Sequence, residues 1–374
     1  MPKIVDATTD WLRFRHAPKL SIGTLYKLLE RFGSTRRILQ ASAGTLADAG
    51  LSRETIAYLL QPDLPAAIEL SLEWADQQGN TIVSFDHPAY PPLLKTIHNP
   101  PLLLYVRGNV NLLADPQLAI IGSRNPTTGG YENAKSFAEH FSRSGLVITS
   151  GLALGIDSAA HQGALAQSAP TIAVMATGAD QIYPARHKKL AAAILEQGAL
   201  VSEMPLNTKP LPELFPQRNR IISGMSLGVL VVEAAQRSGS LITARLAMEQ
   251  SREVFALPGS IHNPLARGCH HLIRQGAKLV ESAQDVLEEL APQIKSILKQ
   301  DSALTFAHAP ESEPLDAEYD RLLKALGFDA ISIDQIAQRS GLAPKEVASM
   351  LLILELQGLV CAEPSGLYSR VQGN

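Results

Sequence analysis

Between residues 117 and 280 seven short apolar runs recur: LAIIG, LVITS, TIAVMAT, ALVSEM, GVLVVEA, EVFALP and KLV. Each is apolar at consecutive positions, which demands burial on both faces of a strand. Between them lie longer stretches with helical spacing, and these predict helices at 131–144, 158–167, 185–197, 240–252 and 264–275. Strands hidden on both sides and separated by helices have few homes. The pattern predicts an α/β fold, a Rossmann-like, doubly wound, mostly parallel sheet covered by helices. In such a sheet ligands gather outside the carboxyl ends of the strands, so function is sought in the segments that follow each run.

The flanks have other characters. Residues 11–60 carry apolar residues at helical spacing, with a break from Pro18 to Gly23. They suggest an N-terminal all-α unit, SAM-like or helix-hairpin-helix-like, over 1–75. Such units contact DNA backbones or dock proteins, and both uses stay open. Prolines 88, 91, 92, 100 and 101 rule out a long helix over 81–109 and favour extended segments packed on a neighbour. This connector is grouped with the sheet domain, 76–300. Residues 301–318 lose periodicity and gain Pro, Ser and acid, as a linker does. Residues 319–374 then read as helix, turn, helix and two short strands, with Asp334 at a helix start and SGLAP as the turn. That is a winged-helix pattern, but its five basic and six acidic residues leave protein docking as open as DNA contact.

No apolar run in the 374 residues reaches membrane-spanning length, no signal peptide is apparent, and the two cysteines suggest no disulfide framework. We therefore expect a cytoplasmic protein. Its net charge of −3 conceals an uneven distribution. Residues 11–40 carry seven Lys/Arg against one Glu, and 117–276 carry fourteen basic against ten acidic. Residues 277–320 carry ten acidic against three Lys. A polyanion is thus better suited to the first two regions than to the last.

Three post-strand segments combine small residues with a helix start: Gly122 and Ser123, Ser150 and Gly151, and Ser238, Gly239 and Ser240. Exposed amides at such ends attract phosphate or carboxylate. Asp157 is expected to cap one of these helices and Ser238 or Ser240 another. Arg124, Lys209, Arg218 and Arg220 are expected in loops after strands. In FPQRNR, Phe215 stacks on a base face, the arginines hold phosphate and Asn219 meets a base edge, a trio suited to single-stranded nucleic acid. The competing reading packs Phe215 into the core and pairs one arginine with Glu233.

Catalytic patterns are sparse. Asp157 and His161 share a helix face and make at most half a metal site, while the Cys and His residues of GCHH at 268–271 point apart. There is no Gly-x-x-x-x-Gly-Lys-Ser/Thr loop, no nucleophile elbow, and no dinucleotide fingerprint, since Arg124 would crowd a pyrophosphate. We expect no cofactor and no metal.

Seven motifs occur in order: GSR at 122–124, SGLALGID at 150–157, YPARH at 183–187, FPQRNRIISG at 215–224, VVEA at 231–234, SGSLITA at 238–244 and ALPGS at 256–260. Together they resemble the DNA-processing protein A (DprA/Smf) family across most of the chain. The resemblance implies a non-enzymatic, cytosolic protein that binds and protects incoming single-stranded DNA during natural transformation. It also implies loading of the RecA recombinase, including onto strand covered by single-strand binding protein, and a homodimer formed through the Rossmann-like domain. Carried over by motif, Gly122, Ser123 and Arg124 belong to the DNA-contacting pocket, Arg218, Asn219 and Arg220 match the family's RNR, and Lys209 lies in the loop before it. His270 stands where the family usually has Asn, and KLSIG stands where a glycine-rich hairpin is usual.

Two other classes stay in view. A Rossmann-like nucleotide hydrolase of the lysine-decarboxylase-like type would use Glu233 as its acid, but the Pro-Gly-Gly-x-Gly-Thr motif of those enzymes is missing. A double-strand regulator acting through the tail would have to overcome that tail's slight negative charge.

Overall fold

The computed structural model describes residues 7–305 and, within 319–370, residues 331–343, 360–362, 367–370 and scattered helical positions between them. Two compact units result, 1–300 and 301–374.

The first unit is built on a nine-stranded sheet. Its strands are β1 (Asn80–Ser84), β2 (Leu103–Gly108), β3 (Gln117–Ile121), β4 (Val147–Ser150), β5 (Thr171–Met175), β6 (Ala199–Ser202), β7 (Gly228–Val231), β8 (Glu253–Ala256) and β9 (Lys278–Leu279). The order is β1-β2-β6-β5-β4-β3-β7-β8-β9. From β6 to β9 every pairing is parallel. Strands β3 to β7 are buried at every position, the burial that their uninterrupted apolar runs demand. All seven runs are therefore strands, and the five predicted helices appear at 128–143, 156–166, 188–197, 239–249 and 267–274.

The proline-rich connector, expected as extended segments, supplies two strands of the sheet: β1 pairs antiparallel with β2, and β2 antiparallel with β6. Its prolines sit outside both strands, where no ladder amide is needed, and Pro92 opens the short helix Pro92–Lys95. FPQRNR, expected in a loop, lies inside the helix Leu214–Met225. Pro216 is tolerated there because it falls in the first turn, whose amides have no intrahelical partner.

Helices at 7–16, 22–32, 35–39, 43–48, 53–60 and 66–75 form the N-terminal helical part. Serines cap four of them: Ser21, Ser34, Ser42 and Ser52 each accept a hydrogen bond from an amide of the first turn. The KLSIG segment thus serves as a helix start through Ser21. Leu25, Leu28, Ile38 and Leu46 close a small core, each contributing about 1.5–3 kcal/mol by burial. Leu12, Ile68 and Trp74 instead share a core with Tyr105 and Leu200 of the sheet, so these helices are packed on the sheet edge.

In the second unit, helix 333–340 has a capping box between Ser332 and Gln335, which places Asp334 one residue inside the helix. Strands β10 (Val360–Ala362) and β11 (Tyr368–Arg370) pair antiparallel, as the winged-helix pattern requires. Of the segment expected as a linker, residues 301–305 end the helix Ala283–Thr305, and 306–318 lie outside the described residues.

Candidate nucleic-acid interface

Chain order runs outward from β3 to β6 on one side and from β7 to β9 on the other, so the loops after β3 and β7 diverge at a topological switch point. A hollow of about 570 Å³ opens there. Its lining includes Gly122 and Arg124 after β3, Ala153 and Asp157 after β4, and Tyr183 after β5. The helix after β6 adds Phe215, Arg218 and Asn219, and the segment after β7 adds Ser238, Gly239 and Ser240. Residues from five separate segments thus converge on one volume.

The exposed cation of this hollow is Arg124, whose guanidinium lies 5.4 Å over the Phe215 ring. Tyr183 meets the same ring edge-on at 5.8 Å. Phe215 is half-buried and faces the hollow rather than the core. The layer of arginine, phenylalanine and tyrosine offers a cation and two aromatic surfaces to an incoming group.

Beneath it lies a buried charge system. Arg218 is 4% exposed, and its Nη1 donates to the Gly151 carbonyl at 2.6 Å and to the Val174 carbonyl. Burial lowers its pKa to about 10, against the nearby Asp157 carboxylate, which raises it. Asp157 does not act as the N-cap; that position is Gly155. Its Oδ2 accepts from the amides of Gly151 and Ala153 at 3.1 and 3.3 Å, and burial raises its own pKa against the opposing Arg218 charge. Arg218 and Asp157 therefore hold the 151–155 loop from both ends of its peptide groups. That loop needs holding, because Leu152 has φ 56° and Gly155 φ 77°. A Cβ on Gly155 would overlap the carbonyl oxygens of Ser123 and Arg124, so only glycine lets the loops after β3 and β4 touch.

Several expected contacts are placed elsewhere. Arg218 lies in a helix and not a loop; it lines the hollow but its Nη1 is committed to carbonyls. Arg220 faces away from the hollow and pairs with Glu203 at 2.5 Å, not with Glu233. Ser150 is fully buried and its Oγ donates to the Ile120 carbonyl at 2.6 Å, tying β4 to β3. Ser123 accepts from the Asn125 amide at 3.1 Å beside the hollow. Gly151 borders a smaller recess next to Arg124, Tyr183 and Phe215, while Lys209 is exposed in its loop and lines neither. Ser238 caps helix 239–249 by accepting from the Ser240 amide at 3.3 Å, which presents that N-terminus to the hollow.

The groups that alternative chemistries would use are engaged elsewhere. Glu233 accepts from the Thr127 amide at 2.9 Å, the Thr127 hydroxyl at 2.7 Å and Asn263 at 3.4 Å, and so anchors helix 128–143 outside the hollow. His161 is fully buried and its Nδ1 bonds Thr171 at 2.8 Å. Cys269 is buried, and the His270 Nε2 lies 3.0 Å from the Gly259 carbonyl, so this histidine supports a turn. Among the described residues no three His, Cys, Asp or Glu side chains group as a metal site, and no helix is long and apolar enough to cross a membrane. Tyr183 and the loop-holding role of Asp157 were not read from the sequence. The aromatic in YPARH was the available signal for the first, and the second needs coordinates.

Known proteins show the same organisation. The family described as DNA recombination-mediator protein A matches residues 81–291, and the DprA winged helix domain matches 306–366. Protein Smf of Escherichia coli (strain K12) is 45% identical over 367 residues, covering 98% of this chain and 96% of its own. DNA processing protein DprA of Streptococcus pneumoniae is 48% identical over 200 residues, 54% of this chain and 71% of its own. The X-ray structure of DNA processing protein A from Streptococcus pneumoniae has a TM-score of 0.66 at 40% identity, covering 75% of this chain and 97% of that one. DNA processing protein A from Helicobacter pylori, whose structure describes a single-stranded DNA binding mode, has a TM-score of 0.52 at 30% identity, covering 57% and 96%. With a Rossmann-like core, a C-terminal winged helix and these relatives, the chain belongs to the DNA recombination-mediator protein A family, the DprA/Smf proteins.

Proposed function

We propose that this protein binds single-stranded DNA in the hollow at the switch point. Arg124 takes a phosphate, Phe215 and Tyr183 take base faces, and the amides of Gly239 and Ser240 add positive potential. The observation that carries the proposal is the exposed Arg124 guanidinium stacked on Phe215 at the mouth of the hollow. Arg218 and Asp157 shape the wall from below. The single-stranded DNA binding mode described for the Helicobacter pylori relative supports the same ligand class.

In the cell this protein protects incoming strand during natural transformation and loads RecA onto it, including onto strand held by single-strand binding protein. It does so in the cytoplasm as a homodimer through the Rossmann-like domain, without catalysing a reaction itself. Family membership supports this role, and the bonds that occupy Glu233 weigh against a nucleotide hydrolase.

The decisive test is Arg124→Ala with a single-stranded oligonucleotide titrated at several salt concentrations. Loss of one phosphate contact should flatten the log–log salt slope by about 0.7 and weaken binding about fivefold at 0.1 M salt. An unchanged dissociation constant and slope would remove the proposal's main support.

A further inference from the structure

We propose that the N-terminal helical part carries a second nucleic-acid surface: a cationic track that takes the phosphates of single strand leaving the hollow. The inference rests on the binding mode proposed above and extends it beyond the pocket.

Charge provides the first observation. Residues 7–60 hold eight Lys/Arg against four Asp/Glu in a chain of net charge −3, so the rest of the protein carries −7. Some of these cations are already engaged. Arg13 is buried and donates to the carbonyls of Leu59 and Gln61, Lys19 pairs with Glu54, and Arg36 pairs with Asp10. Lys27, Arg31 and Arg37 are exposed and have no acidic partner within ion-pair distance among the described residues.

Their arrangement is the second observation. Helix 22–32 buries Leu25 and Leu28. Lys27 and Arg31, one turn apart, therefore share its outer face about 6 Å from each other. At the end of that helix Gly33 turns the chain in the left-handed region, and the Arg37 guanidinium folds back beside it. Two of the three cations thus share one helix face, and the third lies at the end of the same helix.

The third observation concerns where these cations meet the sheet domain. Tyr26, next to Lys27 in the chain, packs on Phe85 of the segment that follows β1. The two rings meet edge-on at 5.4 Å, and the exposed Lys95 lies 5.5 Å over the Phe85 ring. Lys95 therefore stands at the seam between sheet and helices, against the same ring as Tyr26. A flexible polyanion is the ligand that such spaced, unpaired surface cations suit, because each phosphate it meets releases counterions.

The test is the triple variant K27A/R31A/R37A, all surface positions, against wild type and Arg124→Ala. Each binds a 6-nucleotide and a 30-nucleotide single strand, and a 30-base-pair duplex, across a salt series. Loss of three phosphate contacts should flatten the slope for the long strand by about 2 and weaken it by up to about a hundredfold at 0.1 M salt. The short strand, which fills only the hollow, should bind the triple variant as it binds wild type, whereas Arg124→Ala should weaken both lengths. Unchanged affinity and slope for the long strand would overturn the track, and so would a loss confined to the duplex. A silent Arg124→Ala beside a strong triple-variant effect would instead overturn the hollow.

Discussion

Replacing Arg218 by methionine separates a buried organiser from a surface ligand. The substitution keeps a long apolar stem but removes the guanidinium that donates to Gly151 and Val174. It also leaves the buried Asp157 carboxylate without its opposing charge. Breaking one side of a buried charge system costs about 3–5 kcal/mol. In a unit of this size each kcal/mol lowers the melting midpoint by about 2–3 °C, so a drop of roughly 6–15 °C is expected. Arg124→Ala, at an exposed position, should stay within about 0.5 kcal/mol of wild type. Circular dichroism melts of both variants, run beside oligonucleotide titrations at a temperature where both are folded, give the comparison. A midpoint for Arg218→Met within about 2 °C of wild type, together with lost DNA binding, would show that Arg218 is a direct ligand contact and refute the reasoning.

Gly155→Ala should cost about 1–3 kcal/mol, since the new methyl meets the Ser123 and Arg124 carbonyls at φ 77°; a wild-type urea midpoint would contradict the claimed close approach. Burial holds His161 neutral, with its pKa lowered from 6.5 to about 3. The unfolded chain takes up this proton below 6.5 and the folded one only near 3, so the group's contribution is complete above 6.5 and is lost as pH falls from 6.5 toward 3. His161→Gln should flatten the acid limb of a stability–pH curve over that window, and an identical limb in variant and wild type would refute the assignment.

The order and type of the sheet's elements were legible in the residues. Seven apolar runs became β3 to β9; burial on both faces explains the runs of β3 to β7, whereas β9 is an exposed edge strand. Gly122, Arg124, Phe215, Asn219 and Ser238–Ser240 were legible as a set because strand-end loops of a parallel sheet share one rim. Which arginine faces solvent was not. Arg218 and Arg220 are two residues apart on a helix, so they point in different directions, and their partners Gly151 and Glu203 are distant in sequence. β1 and β2 were legible only as extended segments, since nothing in their own residues names β6, about a hundred positions away, as the strand that β2 joins.

The residues alone determined that a covered parallel sheet would form, that a winged-helix pattern would follow it, and that positive charge would gather early in the chain. Local periodicity, turn chemistry and charge counts are properties of neighbours in sequence. Only the tertiary structure decided which cations are consumed by carbonyls and carboxylates and which remain at the surface. Burial and pairing depend on groups brought together across the sheet, as Asp157, Gly151 and Arg218 are, and no window of sequence contains them at once.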